Sequence, residues 1–467
     1  MKRKSSHRFY PALIWSSLFL SLGLVLTFLL TSPLSADDDE PYQQLFDELK
    51  TFTDVLALVE RDYVREVESD ELVQGAIKGM LATLDPHSGY LEPEFYQDLR
   101  VTTKGEFGGL GIEITIKDGI LVVVAPMEGS PAEKAGIRAG DKIVKIEGKF
   151  TKEFSLVDAV KKLRGPKGSE IEISIQREGV RDLLDVKIVR DRIAVKSVRH
   201  RMLEPGFGYA RITQFVESTG DDLKRSLRAL SEANGKKPLQ GLVLDLRNNP
   251  GGLLTQAIRV SDFFLKEGVV VYTDGRIENQ KQKFFAQERG TEPEYPIIIL
   301  VNEGSASASE IVAGALQDHG RALVLGTQTF GKGSVQTITP LSNGGALTLT
   351  TALYYTKSGR SIQVTGIVPD IVMDNSGEGG AAGPPRRGRV REGDLPGAIE
   401  NPDGRKRDEP SKAPKSKPSE SEEEPEKEFK RPQDMTISEL LESDPQLRRA
   451  IELLKTYRRF QPTKIAA

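Results

Sequence analysis

Serines and small residues crowd the stretch 302–311, where an apolar run typical of a strand (297–301) gives way to the apolar face of a predicted helix. A serine on such a turn can stand exposed beside backbone amides, and the helix N-terminus favours developing negative charge. This is a suitable setting for a nucleophile. Serine is also the commoner helix cap, so the residue types alone leave Ser305, Ser307 and Ser309 open between catalysis and capping.

A lysine follows in a glycine-rich stretch, residues 326–334. The stretch nearly matches the phosphate-binding loop G-x-x-x-x-G-K-[ST], but Gly333 stands where that loop places its magnesium-binding hydroxyl. Residues 335–339 also alternate like a strand, whereas a phosphate loop needs a helix there. Both departures disfavour a nucleotide site. Lys332 can instead serve as a base if burial, for instance beside Phe330, lowers its pKa from the usual value of about 10.4.

Composition limits the remaining chemistry. The chain has 467 residues, no cysteine and four histidines. Without cysteine there is no disulfide framework, thiolate metal site or cysteine nucleophile. His319 lies about three turns beyond Ser307 on the same predicted helix, which is out of reach for a Ser-His-Asp arrangement. Lys and Arg number 65 against 68 Asp and Glu, so no basic excess points to nucleic acid.

The amino terminus has the pattern of an export signal. Four basic residues within the first eight precede an uncharged, mostly apolar run at 12–30, and small residues follow before an acidic cluster at 37–40. The run is also long enough for a membrane span of about 20 residues. Cleavage after Ala36 and retention as an anchor are both open. Residues 1–36 are therefore predicted to be a signal peptide or membrane anchor, and the remainder to be exported, either periplasmic or membrane-anchored.

The helices, strands and linkers that position these residues are predicted from changes in the pattern of residue types along the chain. Apolar residues at three- and four-residue intervals predict helices within 37–103. Short β-type runs predict a β-rich domain at 104–190, and alternating strands and helices predict an α/β core at 191–375. Residues 376–434 carry almost no large apolar groups and are predicted to form a disordered charged linker. An amphipathic helical segment is predicted at 435–467.

Several motifs in a fixed order resemble the carboxyl-terminal processing (tail-specific) serine peptidases. They lie at residues 75–80, 84–88, 245–252, 304–315, 329–336, 358–363 and 366–370, and the resemblance covers residues 41–374. It implies that Ser307 is the nucleophile, that Lys332 is the general base and that Gln336 orients the lysine. It also implies an oxyanion hole made by the backbone amides of Gly252 and Ala308. No metal or nucleotide cofactor is implied.

The β-rich region resembles a PDZ domain. Its carboxylate-binding loop would consist of Gly109, Leu110, Gly111 and Ile112, and the strand that follows could add an extended peptide to the sheet. A predicted helix at 156–163 would form the other wall of that groove. Arg164, directly after this helix, resembles an arginine that in relatives links the ligand-bound PDZ domain to the active site.

The sequence pattern predicts a multidomain α/β protein with N-terminal helices and an inserted β-rich domain, and the resemblances imply that the core is a crotonase-like α/β spiral protease core and the insert a PDZ domain. The expected activity is that of a cell-envelope serine endopeptidase, which recognises the C-terminal tails of proteins through the PDZ domain and cleaves them with a Ser-Lys dyad. The expected partners are protein or peptide substrates with free C-termini, with the membrane added if the N-terminal segment is uncleaved. A homo-oligomer and an adaptor stay open. The rival interpretation is a non-catalytic PDZ scaffold.

Overall fold

The computed structural model describes residues 40–117, 119–127, 129–152, 154–374, 390–404 and 435–460. The chain divides after Gly79 into two compact units. The predicted signal segment, residues 1–36, lies outside the described ranges. Within those ranges, no helix combines the length and the apolar character needed to cross a membrane.

Helices dominate the N-terminal region, as its periodicity predicts. Helix α1 spans Glu40–Asp62 and α2 spans Ser69–Ala82, and α3, Pro93–Lys104, begins with a proline at a position that suits its fixed φ. Between α2 and α3 lies a short strand, β1, at Gly89–Leu91. The sequence analysis did not predict this strand, since three residues are too few to show an alternating pattern.

The β-rich region forms its own six-stranded sheet, which packs around an isoleucine-rich core. Its strands are β3 (Ile112–Lys117), β4 (Ile120–Pro126), β5 (Lys142–Ile146), β6 (Lys149–Phe150), β7 (Glu170–Gln176) and β8 (Leu184–Val189), in the order β3-β4-β5-β7-β8 with β6 on β5. Two short helices, α4 (Pro131–Lys134) and α5 (Leu156–Leu163), lie where the sequence predicts them. Ile143, Ile173 and Ile175 are fully buried at its centre.

The β-rich region enters and leaves the fold on neighbouring strands. Strand β2, Glu106–Gly109, pairs antiparallel with β9, Asp191–Ala194. Because the two connections are hydrogen-bonded to each other, the region can be inserted into the chain without disturbing the sheet that follows it.

A six-stranded sheet carries the core, in the order β10-β11-β12-β15-β16-β19. Its strands are Val198–Glu204, Phe207–Ile212, Gly241–Asp245, Ile297–Val301, Leu323–Gly326 and Ile371–Val372, and all neighbours are parallel except β10 and β11. Every residue of β12 and β15 is buried. Such continuous apolar strands are covered on both faces, as the two apolar runs predict.

Helices α6 (Thr219–Ala233), α7 (Leu254–Asp262) and α8 (Ala308–Asp318) contribute to the core cluster on one face of this sheet. A second, antiparallel sheet contains β1, β13 (Val269–Gly275), β14 (Gln282–Phe285), β17 (Ser334–Pro340) and the long β18 (Ala346–Tyr355). Parallel and antiparallel layers with helices and an inserted β-rich module confirm the predicted multidomain α/β fold class.

Residues 390–404, here called the strap, depart from the prediction that residues 376–434 form a disordered linker. They lie inside the stretch expected to be disordered, yet they contain a short 3-10 helix, Glu392–Asp394, and the Glu392 side chain is fully buried. Asn401 donates to the Gln363 carbonyl over 2.6 Å. Composition failed here because the strap is held by buried polar contacts and not by large apolar groups. The rest of the predicted linker, residues 376–389 and 405–434, lies outside the described ranges.

The C-terminal segment covers the second face of the core sheet. Helix α9 spans Ile437–Ser443 and α10 spans Pro445–Phe460, so the predicted amphipathic segment is interrupted at Pro445. Leu447, Ala450, Ile451 and Leu454 join a buried cluster with residues of β12 and β15.

The packing of α10 against the core sheet should contribute measurably to the free energy of unfolding. Leu447 is 1% exposed within this cluster, so Leu447→Ala should lower the free energy of unfolding by about 2–5 kcal/mol. Thr456→Ala, on the exposed side of the same helix, should change it by less than about 0.5 kcal/mol. Urea unfolding followed by circular dichroism measures both, and equal stability of the two variants would contradict a packed α10.

Candidate active site

Ser307 occupies a strained turn between β15 and α8. Its φ is 54° and its ψ is −112°, a conformation that non-glycine residues rarely adopt. Such strain persists only where the surroundings impose it, and it is concentrated at functional sites. The residue is half-buried, and its hydroxyl forms no hydrogen bond that caps the helix. The capping alternative is therefore not realised at this position.

The neighbouring serines have structural roles. Ser305 Oγ donates to the Leu246 carbonyl over 2.8 Å, and Ser309 Oγ donates to the Asn249 carbonyl over 2.9 Å. Both serines are fully buried. They fasten the turn to the loop that follows β12, which leaves Ser307 as the serine with a hydroxyl available for chemistry.

That loop brings Gly251 and Gly252 against the turn. A Cβ atom on Gly251 would lie 2.8 Å from the Ser307 Cβ and 3.0 Å from the Ala308 nitrogen, and one on Gly252 would lie 2.1 Å from the Phe215 carbonyl oxygen. Both glycines have positive φ, 103° and 136°. Only glycine fits this close approach.

Two backbone amides remain available at this contact. Phe215 is hydrogen-bonded to the residues on either side of Gly252, at the Gly251 carbonyl and the Leu253 amide, so the Gly252 N–H points away from Phe215. Ala308 is the first residue of α8, where an N–H has no partner within the helix. Neither amide donates to another residue in the described ranges. Free backbone amides beside a serine are what an oxyanion hole requires, and the predicted roles of Gly252 and Ala308 stay a prediction.

Lys332 lies in a loop that is clamped on both sides. Val364 N–H donates to the Gly331 carbonyl over 2.8 Å, and Gly333 N–H donates to Gln363 Oε1 over 2.9 Å. Phe330 N–H donates to the Ser305 carbonyl over 3.0 Å, which joins this loop to the serine turn. Burial lowers the pKa of the lysine amine, while nearby carboxylates oppose the shift. The direction is the one that a neutral lysine base needs.

Glu310, three residues after Ser307, connects the two loops. Its carboxylate accepts the Ser307 and Lys332 amides over 2.7 and 3.0 Å, and the Gly331 amide and Thr329 hydroxyl over 2.7 and 2.6 Å. The side chain is fully buried, which raises its pKa to about 7. Sequence reasoning missed this residue, although an acid in the first turn, directly before the apolar residues of the helix, was a visible signal.

Gln336, predicted to orient the lysine, contacts other residues here. Its Nε2 donates to Ser334 Oγ over 2.9 Å and to Thr350 Oγ1 over 3.4 Å. The structure records no hydrogen bond between the side chains of Gln336 and Lys332, so the orienting role stays a prediction. Thr350 Oγ1 in turn donates to the buried Asp85 carboxylate over 3.0 Å. Asp85 is a second residue that the sequence analysis assigned no role.

The predicted peptide-binding loop lies at the start of β3. Leu110 is buried, and its carbonyl accepts the Ala132 amide, while Gly111 has a φ of 73° and its carbonyl accepts the Met127 amide. Gly109 ends β2 and Ile112 begins β3, the outer strand of its sheet, with α5 alongside. An open strand edge beside a helix is the geometry that β-augmentation requires.

Arg164 follows α5, and its side chain contacts α3 and β2. Its Nη1 lies 3.4 Å from Asp98 Oδ1 on α3, and its guanidinium lies 5.0 Å from the centre of the Phe107 ring. Lys161 on α5 pairs with Glu94 on α3 over 2.8 Å. The structure therefore places Arg164 at the contact between α5 and α3.

Comparisons with known proteins agree with this architecture. The model of peptidase family S41 matches residues 206–373, a PDZ domain model matches 122–177, and the model of the activating protease CtpB N-terminal domain matches 30–95. An α/β core with a serine turn and an inserted PDZ domain defines a serine-type peptidase of this class.

Relatives give the family. A carboxy-terminal-processing protease of Bartonella bacilliformis is 49% identical over 359 residues, 77% of this chain and 81% of the relative. The carboxy-terminal processing protease CtpA of Bacillus subtilis is 38% identical over 67% of this chain and 66% of its own length. A carboxyl-terminal-processing protease of Synechocystis is 38% identical over 71% and 78%. The chain belongs to the carboxy-terminal-processing proteases.

The different roles of the three serines predict different stabilities. Ser309→Ala removes the hydroxyl that donates to the buried Asn249 carbonyl, so it should lower the free energy of unfolding by about 1–3 kcal/mol. The Ser307 hydroxyl does not cap the helix, and Ser307→Ala keeps the strained backbone. This substitution should therefore leave the free energy of unfolding nearly unchanged. Chemical denaturation compares them, and a larger loss for Ser307→Ala would contradict the assignment.

Proposed function

We propose that this chain is an endopeptidase of the cell envelope that binds the C-terminal tails of proteins in its PDZ domain and cleaves them with Ser307 and Lys332. The observation that carries the proposal is the convergence of three loops. The strained Ser307 turn lies against the Gly251–Gly252 loop and is joined through Glu310 to the Lys332 loop. Export is supported by the pattern of residues 1–36.

The reaction begins with proton transfer. Neutral Lys332 takes the hydroxyl proton of Ser307 as Oγ attacks the scissile carbonyl carbon. The Gly252 and Ala308 amides donate to the oxyanion of the tetrahedral intermediate. The lysine ammonium then gives its proton to the leaving amine, which departs and leaves an acyl-enzyme. Water, deprotonated by Lys332, attacks the ester in the second half, and the proton returns to Ser307.

Tail binding would use the outer edge of β3. An extended peptide adds as a further strand, and its terminal carboxylate accepts from the amides of Gly109 to Ile112. Such charge-assisted hydrogen bonds are shorter and stronger than neutral ones. A peptide bound against α5 would act on the contact between Arg164 and Asp98 of α3. We assign Arg164 a regulatory role on that basis.

The dyad is tested by removal of each member. Ser307→Ala and Lys332→Met should each lower kcat on an unstructured protein with a free C-terminus by about a thousandfold or more, because neither nucleophile nor base has a substitute. The control Lys357→Met changes an exposed lysine and should be as active as the parent. Cleavage that persists in Ser307→Ala rules out this nucleophile.

Carboxylate capture is tested on the substrate. Amidation of the C-terminus should lower kcat/KM by about tenfold or more, since hydrogen bonds to a charged group contribute about 1.5–3 kcal/mol each. The same substrate acetylated at its N-terminus serves as control and should be cleaved at the unmodified rate. Equal rates for the amidated and free substrates would remove the PDZ loop from recognition.

A further inference from the structure

The strap lies beyond the residues matched by the peptidase family model, yet it contacts the loop that carries Lys332. Glu392 N–H donates to the Phe330 carbonyl over 3.2 Å. Arg391 Nη1 donates to Gln328 Oε1 over 3.1 Å. The strap is therefore attached along the residues that precede the lysine.

The Glu392 side chain reaches the other side of the same loop. Its Oε1 accepts from Gln363 Nε2 over 2.9 Å, and Gln363 Oε1 accepts the Gly333 amide over 2.9 Å. His87 Nε2 lies 2.9 Å from both carboxylate oxygens. The fully buried Glu392 thus contacts Phe330 by its backbone and connects to Gly333 through the Gln363 side chain, and these two positions lie on either side of Lys332.

We propose that Glu392 is a positioning residue for the lysine base, held in place by His87 and Gln363. The proposal rests on the proposed function, in which Lys332 takes the serine proton. Glu392 fixes the loop on both sides of Lys332, so the amine is presented to Ser307 in one geometry. Small displacements of a catalytic group are costly, because proton transfer requires contact at hydrogen-bond distance.

The carboxylate also bears on the charge state of the base. Burial lowers the pKa of Lys332, and three carboxylates oppose this shift, first Glu392, then Asp85 and Glu310. Asp85 and His87 face the site from the turn before β1, Glu310 from α8, and Glu392 from the strap. Removal of one negative charge destabilises the protonated amine, so the pKa of Lys332 should fall further when glutamine replaces Glu392.

The test separates position from charge with two variants and a control. Glu392→Gln keeps the shape and an oxygen for Gln363 but removes the charge, whereas Glu392→Ala removes both. Glu400→Gln changes an exposed acid of the same strap. Two quantities are measured for each full-length variant: the pH profile of kcat/KM, and the pH midpoint for acetylation of Lys332 by acetic anhydride, followed by mass spectrometry. The acetylation midpoint reports the amine without reference to activity.

We expect Glu392→Gln to move the acetylation midpoint and the acidic limb of kcat/KM to lower pH and to retain kcat on the high-pH plateau. Glu392→Ala should lose about tenfold in kcat with KM little changed, and Glu400→Gln should match the parent. An unmoved midpoint in Glu392→Gln, or full kcat in folded Glu392→Ala, overturns the proposal. A midpoint that moves while the rate profile stays supports the placement of Glu392 and counts instead against Lys332 as the base.

Discussion

The candidate active site depends on the hydrogen bonds that the buried carboxylate of Glu310 accepts. A carboxylate taken out of water without partners is very unfavourable. Here it accepts from four donors, and those donors belong to two separate loops, the serine turn and the lysine loop. The need to satisfy one buried acid therefore brings the Ser307 turn and the Lys332 loop together. The same four hydrogen bonds stabilise its charged form, although burial raises its pKa to about 7.

The loop that carries Gly251 and Gly252 is held from the opposite face of the sheet. Arg247, a few residues before Gly251, donates to Asp245 at the end of β12 and to Asp444 and Gln446 at the start of α10. Gln446 in turn donates to the Met373 carbonyl over 2.6 Å. Because a buried charge must be paired, the same guanidinium orders the C-terminal helices and the loop that follows β12.

Apolar patterns made the fold predictable, and long-range polar contacts limited what else could be foreseen. The continuous runs of β12 and β15 and the short strands of the PDZ domain follow from local periodicity. The residue types left three serines open and the resemblance assigned Ser307, while the physical distinction lies in a backbone angle and in two hydrogen bonds that reach the loop after β12. The strap was missed for the same reason: Glu392 is ordered by His87, about three hundred residues away in the chain.

In this site the pKa of Lys332 is lowered although three acids surround the amine. Each carboxylate already has donors of its own: backbone amides and Thr329 for Glu310, Ser88 and Thr350 for Asp85, and Gln363 and His87 for Glu392. Hydrogen bonds to these fixed donors stabilise the acids, so none of them requires the ammonium form of Lys332 as a partner. Burial is then the largest influence on the amine, and it lowers the pKa. A site rich in acids can in this way keep a lysine available as a base.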